Sequence, residues 1–255
     1  MARLRISAVS YLNTLTFVHG MEHEADKLHA DISLQIPSLC ADSIIERRAD
    51  VALMPVAALL RDPSLDIITP YCIGASGPVR TVVIMSPCPI EHVETIMLDS
   101  HSRTSAALTK LLCREYWHIA PAFAELTDYS SVLSPSPATA YLLIGDKVFD
   151  YEGALPYCYD MAAAWRDHTS LPFVFAVWAA RPGVEKRDIE ALEKAFGYGL
   201  RHKEEALSSS RYASMGRTAI DYLTHNIDFN LDIDKRQALE MFLRKISPVS
   251  QSASH

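Results

Sequence analysis

Ser100-His101-Ser102-Arg103-Thr104-Ser105 gathers hydroxyls and a guanidinium within six positions. It follows Thr95-Ile96-Met97-Leu98, which reads as a strand, and opens a stretch from Ala106 to about Tyr116 with helical spacing. The first turn of a helix exposes unpaired backbone N–H groups and carries partial positive charge. Hydroxyls and an arginine there make a ready site for a carboxylate. The same residues also serve as a plain N-cap, through Ser102 or Thr104. Spacing alone leaves the two readings level. The turn is too short and too poor in glycine to cradle a nucleoside triphosphate.

Other candidates are weaker. Asp146, in Ile144-Gly145-Asp146, ends a strand at the edge where α/β proteins bind ligands. It either caps the next helix or orients a substrate hydroxyl. Ser10-Tyr11-Leu12-Asn13-Thr14 forms a polar bend after the first strand. His19 and His23 stand four apart, but Gly20-Met21-Glu22 between them is not a metalloprotease pattern. No Cys or carboxylate cluster with ligand spacing joins any histidine, so no metal is expected. Cys88, in Met85-Ser86-Pro87-Cys88-Pro89, has no local base and reads as structural. The chain carries no Gly-x-Gly-x-x-Gly, no P-loop and no Gly-x-Ser-x-Gly.

Strands alternating with helices must position these residues. Arg3–Val9 alternates polar and apolar residues. Leu34–Pro37 reads as a second strand, with Ser38 capping a helix to Arg48. Val51–Met54 is a buried strand stopped by Pro55, which starts a short helix to Leu60. Ile67-Ile68, Thr81–Met85, Ala140–Asp146 and Pro172–Trp178 supply further strand material. Helices are expected at Asp160–Trp165, at Val184–Leu207 with a break near Gly197, and at Ile233–Ile246. Ser247–His255 reads as a loose polar tail. This order implies βαβ units and an α/β fold. Residues 86–179 read as a lobe inserted into another built from 1–85 and 180–255, with crossings near Ser86–Pro89 and Ala179–Gly183.

The chain has 255 residues, 49% hydrophobic and 22% charged, an ordinary globular composition that suits one or two domains. Its net charge of -7 speaks against a nucleic-acid partner. An anionic ligand must then be held by a few local donors rather than by the overall field. Five cysteines, odd in number and without Cys-x-x-Cys spacing, suit reduced thiols in the cytoplasm. The opening residues lack the apolar stretch of a signal peptide, and no run of about 18 apolar residues implies a membrane partner.

Several segments together resemble one family, the chorismate dehydratases of the futalosine route to menaquinone. They are Ser10-Tyr11-Leu12-Asn13, Pro37-x-x-Cys40, Ala49-Asp50-Val51-Ala52-Leu53-Met54-Pro55-Val56 and Gly77-Pro78-Val79-Arg80-Thr81-Val82. They continue with Leu98-Asp99, Ser102-Arg103-Thr104-Ser105, Leu143-Ile144-Gly145-Asp146 and Leu171-Pro172-Phe173-Val174-Phe175-Ala176-x-Trp178. Each is short, but they run in order over most of the chain. One departure is Thr16, where the family usually has Pro before the residue matching Phe17.

The resemblance implies a two-lobed fold similar to type II periplasmic binding proteins, with mixed, mostly parallel sheets, flanking helices and a ligand cleft between lobes. It implies a cytoplasmic lyase that removes water from chorismate to give 3-[(1-carboxyvinyl)oxy]benzoate, without metal or organic cofactor. Chorismate is then the partner; oligomeric state is not readable. The matched positions Asn13 and Thr81 are poor bases, so the substrate's own enolpyruvyl carboxylate is the expected base, held in place by the protein. Asn13 and Thr81 are the expected catalytic residues. Ser10, Tyr11, Arg80, Ser102, Arg103, Thr104, Ser105, Asp146 and Phe173 are the expected substrate-binding residues. Each has a bland counterpart: Asn13 a turn residue, Thr81 a strand residue, Tyr11 and Phe173 ordinary core. Two other readings share the fold, a solute-binding protein for a small carboxylate and the sister enzyme 1,4-dihydroxy-6-naphthoate synthase. The second carries a Ser-Pro-Cys-Pro-Asn-type motif at its N-terminal strand; here Ser86-Pro87-Cys88-Pro89 lies elsewhere and lacks the Asn.

Overall fold

A computed structural model describes residues 3–247. Eleven strands occur among them: β1 (Leu4–Val9), β2 (Ala30–Gln35), β3 (Val51–Pro55), β4 (Asp66–Ala75), β5 (Val82–Ser86), β6 (Thr95–Asp99), β7 (Ala122–Leu126), β8 (Thr139–Ile144), β9 (Tyr157–Asp160), β10 (Phe173–Ala180) and β11 (Asp228–Asn230). They form two sheets, one in each of two compact units. The first unit is Met1–Gly74 with Val174–Ile233, and the second is Ala75–Phe173 with Asp234–His255.

The sheet of the first unit has the order β11-β4-β10-β3-β1-β2. β1 runs parallel to β2 and β3, while β10 returns antiparallel to β3. β3 is buried along its whole length, as its unbroken Val-Ala-Leu-Met run suggests for a strand covered on both faces. The helix Leu15–His23 packs on the helix Lys186–Arg201 at backbone distance. A Cβ on Gly20 would stand 1.8 Å from the Ala195 carbonyl oxygen, and one on Gly199 1.7 Å from that of Thr16. Beside this seam Phe17 meets Trp178, Phe196 and Phe229 at ring-centroid distances of 5.7, 4.8 and 5.4 Å.

The sheet of the second unit has the order β7-β6-β8-β5-β9. β6 is parallel to β7 and β8, whereas β5 is antiparallel to β8 and β9. The carboxyl ends of β7, β6 and β8 therefore lie side by side. The helix Arg103–Glu115 buries Leu108, Leu111 and Leu112. The helix Ile233–Ile246 joins this unit through Phe242, 5.9 Å from Trp165 and 5.0 Å from Phe173. Its Lys245 is paired with Glu115 at 2.5 Å.

The fold class is the expected α/β one, with several differences in detail. Of the strand pairs given above, two are parallel and one antiparallel in the first sheet, and two of each in the second, because the return strands β5 and β10 run against their neighbours. By internal contacts the units divide at 74/75, 173/174 and 233/234, where the sequence placed crossings near 86–89 and 179–183. Pairing of β5 with β8 and β9, and the seating of Phe242, put those segments with the second unit. The long helical stretch breaks at His202, not near Gly197, since Gly197 and Gly199 are held in the helix by close packing. The second helix starts at Pro37, with Ile36 in the cap position and no side-chain cap bond. Ser38 lies inside it, because proline suits the first helical position. The helix after β6 starts at Arg103 instead of Ala106. Of the expected polar tail, 248–255 lie outside the described residues. No helix among the described residues is long and apolar enough to cross a membrane.

Candidate functional site

Expected site residues fall in both units. In the first, β1 delivers the bend at its carboxyl end. Ser10 N–H donates to the Gln35 carbonyl at 2.9 Å, extending the register with β2. Tyr11 is extended and precedes a single 3₁₀ turn, Leu12–Thr14, whose Leu12 is fully buried. This anchor leaves Ser10, Tyr11 and Asn13 partly exposed. The Thr14 hydroxyl donates to the Asn13 side-chain oxygen at 3.1 Å, which orients the amide.

Two residues absent from the sequence reading complete this bend. The Arg211 guanidinium donates a hydrogen bond to the Ser10 carbonyl oxygen. The Tyr212 hydroxyl reaches the same oxygen at 3.1 Å, and Arg211 donates to that hydroxyl at 2.6 Å. Ser10, Tyr11, His19, Glu22, Arg211 and Tyr212 are among the residues lining a cavity of about 270 Å³. Some 200 residues separate Ser10 from Arg211, so no local pattern could link them. His23, weighed above as a ligand, instead stacks on Tyr198 at 3.6 Å.

In the second unit Thr81 is buried, and its carbonyl accepts the Gly145 N–H at 2.8 Å. Gly145 has φ 72 and ψ -161, a conformation open essentially to glycine alone. The carbonyl contact thus joins the Thr81 and Asp146 segments. Preceding Thr81, Arg80 sits at φ 66. Its guanidinium grips Glu152 at 2.7 and 3.0 Å and lies over the Phe149 ring. Asp160 fixes this turn. Its Oδ1 accepts the N–H groups of Val79, Ala162 and Ala163, and its Oδ2 that of Arg80 at 2.6 Å. Burial pushes the Asp160 carboxyl above its ordinary range, against the opposing pull of those four N–H groups.

Ser102 is the N-cap of the helix Arg103–Glu115. Its oxygen accepts the Ser105 N–H at 3.1 Å and lies 3.0 Å from the Ser105 hydroxyl. The capping reading is therefore realised, with Ser102 rather than Thr104 as the cap. Thr104 and Ser105 are buried, and Arg103 is exposed. Arg103 lines a shallow groove of about 330 Å³ with Lys110, Phe123 and Glu125. Asp146 opens the 3₁₀ turn Asp146–Tyr151. Phe173 is 1% exposed and packs on Trp165 and Phe242, so its ring belongs to the core of this unit, the bland alternative raised above.

The carboxyl ends of β6, β7 and β8 also bring together a cluster that the sequence reading passed over. The Asp99 side chain is shut from solvent and paired with Lys147 Nζ at 2.7 Å. Its Oδ1 accepts the His101 N–H and the Tyr129 hydroxyl, each at 3.0 Å. Lys147 also donates to the Tyr129 oxygen at 2.7 Å and lies 3.5 Å from His101 Nδ1. Burial, then Lys147, lowers the His101 pKa, and Asp99 opposes them. Burial, then Asp99, raises that of Tyr129. The only signals were Leu98-Asp99 and the residue next to Asp146, and neither revealed a shared site.

Comparison with known proteins bears on both units. A solved structure, protein AF1704 from Archaeoglobus fulgidus, superposes with a TM-score of 0.76 at 16% identity, covering 98% of each chain. The Candida albicans CA3427 gene product, described as having the generic periplasmic binding protein fold, gives 0.64 at 10% identity over 100% of this chain and 92% of that one. These likenesses establish the fold. In sequence, the chorismate dehydratase of Thermus thermophilus is 28% identical over 201 residues, 72% of this chain and 74% of that protein. The family described as menaquinone biosynthesis matches residues 4–248, from the first residue of β1 to just past the last helix. A match that takes in both sheets and every expected site residue decides the affiliation: the chain belongs to the menaquinone biosynthesis family.

Proposed function

We propose that this protein is a chorismate dehydratase, a carbon–oxygen lyase of the futalosine route to menaquinone. The observation that carries the reading is the family match over residues 4–248, joined by the likeness to a chorismate dehydratase. The chemistry is a redox-neutral elimination. The proton at ring C3 and the hydroxyl at C4 leave as water, and the ring becomes aromatic in 3-[(1-carboxyvinyl)oxy]benzoate. Aromatisation supplies the driving force, so the protein has only to lower the barrier.

Neither Asn13 nor Thr81 is basic enough to take the C3 proton. The substrate's enolpyruvyl carboxylate takes it instead, and the protein contributes by holding that carboxylate in line. Such orientation contributes up to roughly 7–11 kcal/mol in well-arranged cases. Asn13, with its amide set by Thr14, and Thr81 hold the reacting region. Ser10, Tyr11, Arg80 and Asp146 border the substrate, and Ser102, Arg103, Thr104 and Ser105 take a carboxylate with the help of backbone N–H groups. The activity belongs in the cytoplasm.

The test uses purified protein and chorismate, with the product followed by ultraviolet absorbance and mass. Asn13→Ala is expected to lower turnover by about 10²-fold. Unchanged turnover in that variant removes Asn13 from the mechanism. Chorismate binding without turnover by the native protein would replace the enzyme with a solute-binding protein. Turnover of a cyclic futalosine derivative, with chorismate ignored, would replace it with the naphthoate synthase.

A further inference from the structure

Asp99 is an awkward charge for the proposed site. It is buried three residues before the Ser102 cap, beside the turn proposed to take a carboxylate. A bare anion there would offset the positive end of the helix dipole and repel a ligand carboxylate. The structure supplies its counter-charge from another strand end. Lys147 follows β8, Tyr129 follows β7 and Asp99 ends β6, and the three meet with hydrogen-bond distances of 2.7–3.0 Å. Lys147 Nζ also lies 4.0 Å from the centre of the Tyr129 ring. Tyr129 donates to Asp99 and accepts from Lys147, so its one proton and its lone pair are both engaged. Asp99 also accepts the His101 N–H, which shapes the chain just ahead of the cap.

We propose that Lys147 is a positioning residue for anion recognition: its ammonium cancels the Asp99 charge, and the paired Asp99 sets the His101–Ser102 backbone that opens the binding turn. This rests on the reading above that the Ser102–Ser105 turn receives a substrate carboxylate. Lys147 does not itself touch the reacting atoms. It keeps the turn attractive to an anion in a protein whose net charge is -7. An uncancelled unit charge about 8–10 Å from a ligand carboxylate, at an effective dielectric of about 20, weakens binding by about tenfold or more.

The experiment compares Lys147→Met, Lys147→Arg, Asp99→Asn and the double variant Asp99→Asn/Lys147→Met. With chorismate, Lys147→Met is expected to raise KM about tenfold or more while kcat stays within about threefold. Lys147→Arg stays near the native value. The double variant recovers most of the loss, because an uncharged amide needs no counter-ion and still accepts the His101 N–H. A purely structural role for the pair predicts no such recovery. A second arm titrates benzoate and follows the Thr104 and Ser105 amide resonances, with the same order of affinities expected. If the native protein does not turn chorismate over, the functional reading falls and the benzoate arm still decides the role of Lys147. Equal affinities in native protein and Lys147→Met, or a double variant as weak as the single one, overturn the inference.

Discussion

Removing the Asp160 carboxylate is the sharpest test of how the second unit holds the Val79–Arg80–Thr81 turn. Asp160→Ala deletes the cap of the helix Met161–Thr169, a loss of about 1 kcal/mol. It also strands the Val79 and Arg80 N–H groups, at about 1–3 kcal/mol each where water cannot replace the acceptor. The total is about 3–7 kcal/mol. Asp160→Asn separates the contributions. Its oxygen, placed where Oδ1 now lies, keeps Val79, Ala162 and Ala163, and its NH₂ meets the Arg80 N–H now bound to Oδ2. One bond is lost and two donors face each other, for about 1–2 kcal/mol. Urea unfolding measures both variants, with an unchanged m-value showing that the difference lies in stability. Exchange of the Val79 and Arg80 amide protons should accelerate, since Arg80 has little reason to keep φ 66 once its N–H acceptor is gone. The pH dependence has a definite sign. The folded-state pKa of Asp160 is raised, so its contribution is full below the unfolded value and falls as pH rises through the folded one. The gap between native protein and Asp160→Asn therefore narrows with rising pH across that range. Asp160→Ala within about 1 kcal/mol of native, or Asp160→Asn as costly as Asp160→Ala, would refute the argument.

Two further changes probe the first unit. Gly199→Ala drives a Cβ to 1.7 Å from the Thr16 carbonyl oxygen, where only backbone movement can relieve it. A stability loss of at least about 3 kcal/mol by urea unfolding is expected, against less than about 0.5 kcal/mol for Gly77→Ala, whose nearest neighbour is 4.0 Å away. Asp50 accepts two guanidinium bonds and a backbone bond from Arg5, at 2.6–3.1 Å, and these hold its pKa below the ordinary value. For a lowered carboxylate the stability is present above the unfolded value and lost as pH falls through the folded one. The advantage of native protein over Asp50→Asn, about 0.5–1 kcal/mol for so exposed a pair, should begin to shrink below about pH 4 and vanish once acid melts pass the lowered folded-state value.

Legibility in the sequence followed the length and periodicity of the signals. β1, β3, β8 and β10 stood out because their apolar or alternating runs are long. β7, with four exposed residues in five, and the three-residue β11 left no such trace. The bend after β1 and the cap before Arg103 could be placed because each joins a strand to a helix over a few residues. Phe173 is expected at the substrate and instead packs in the core, since a strand aromatic looks the same in sequence whether it faces a ligand or, as here, Trp165 and Phe242.

By itself the sequence determined the α/β class, the polar turns at the ends of β1 and β6, and enough ordered motifs to indicate the family. These are properties of neighbours in the chain, where backbone geometry limits what a few residues can do. Only the tertiary structure decided that Arg211 and Tyr212 hold the Ser10 carbonyl, that Asp160 ties down Arg80, and that Lys147 neutralises Asp99. Such pairs depend on strand order and on the direction each strand runs. Residues 48 to 202 positions apart become neighbours only when the sheets close, and the free energy of burying a charge or a backbone donor then selects the partner.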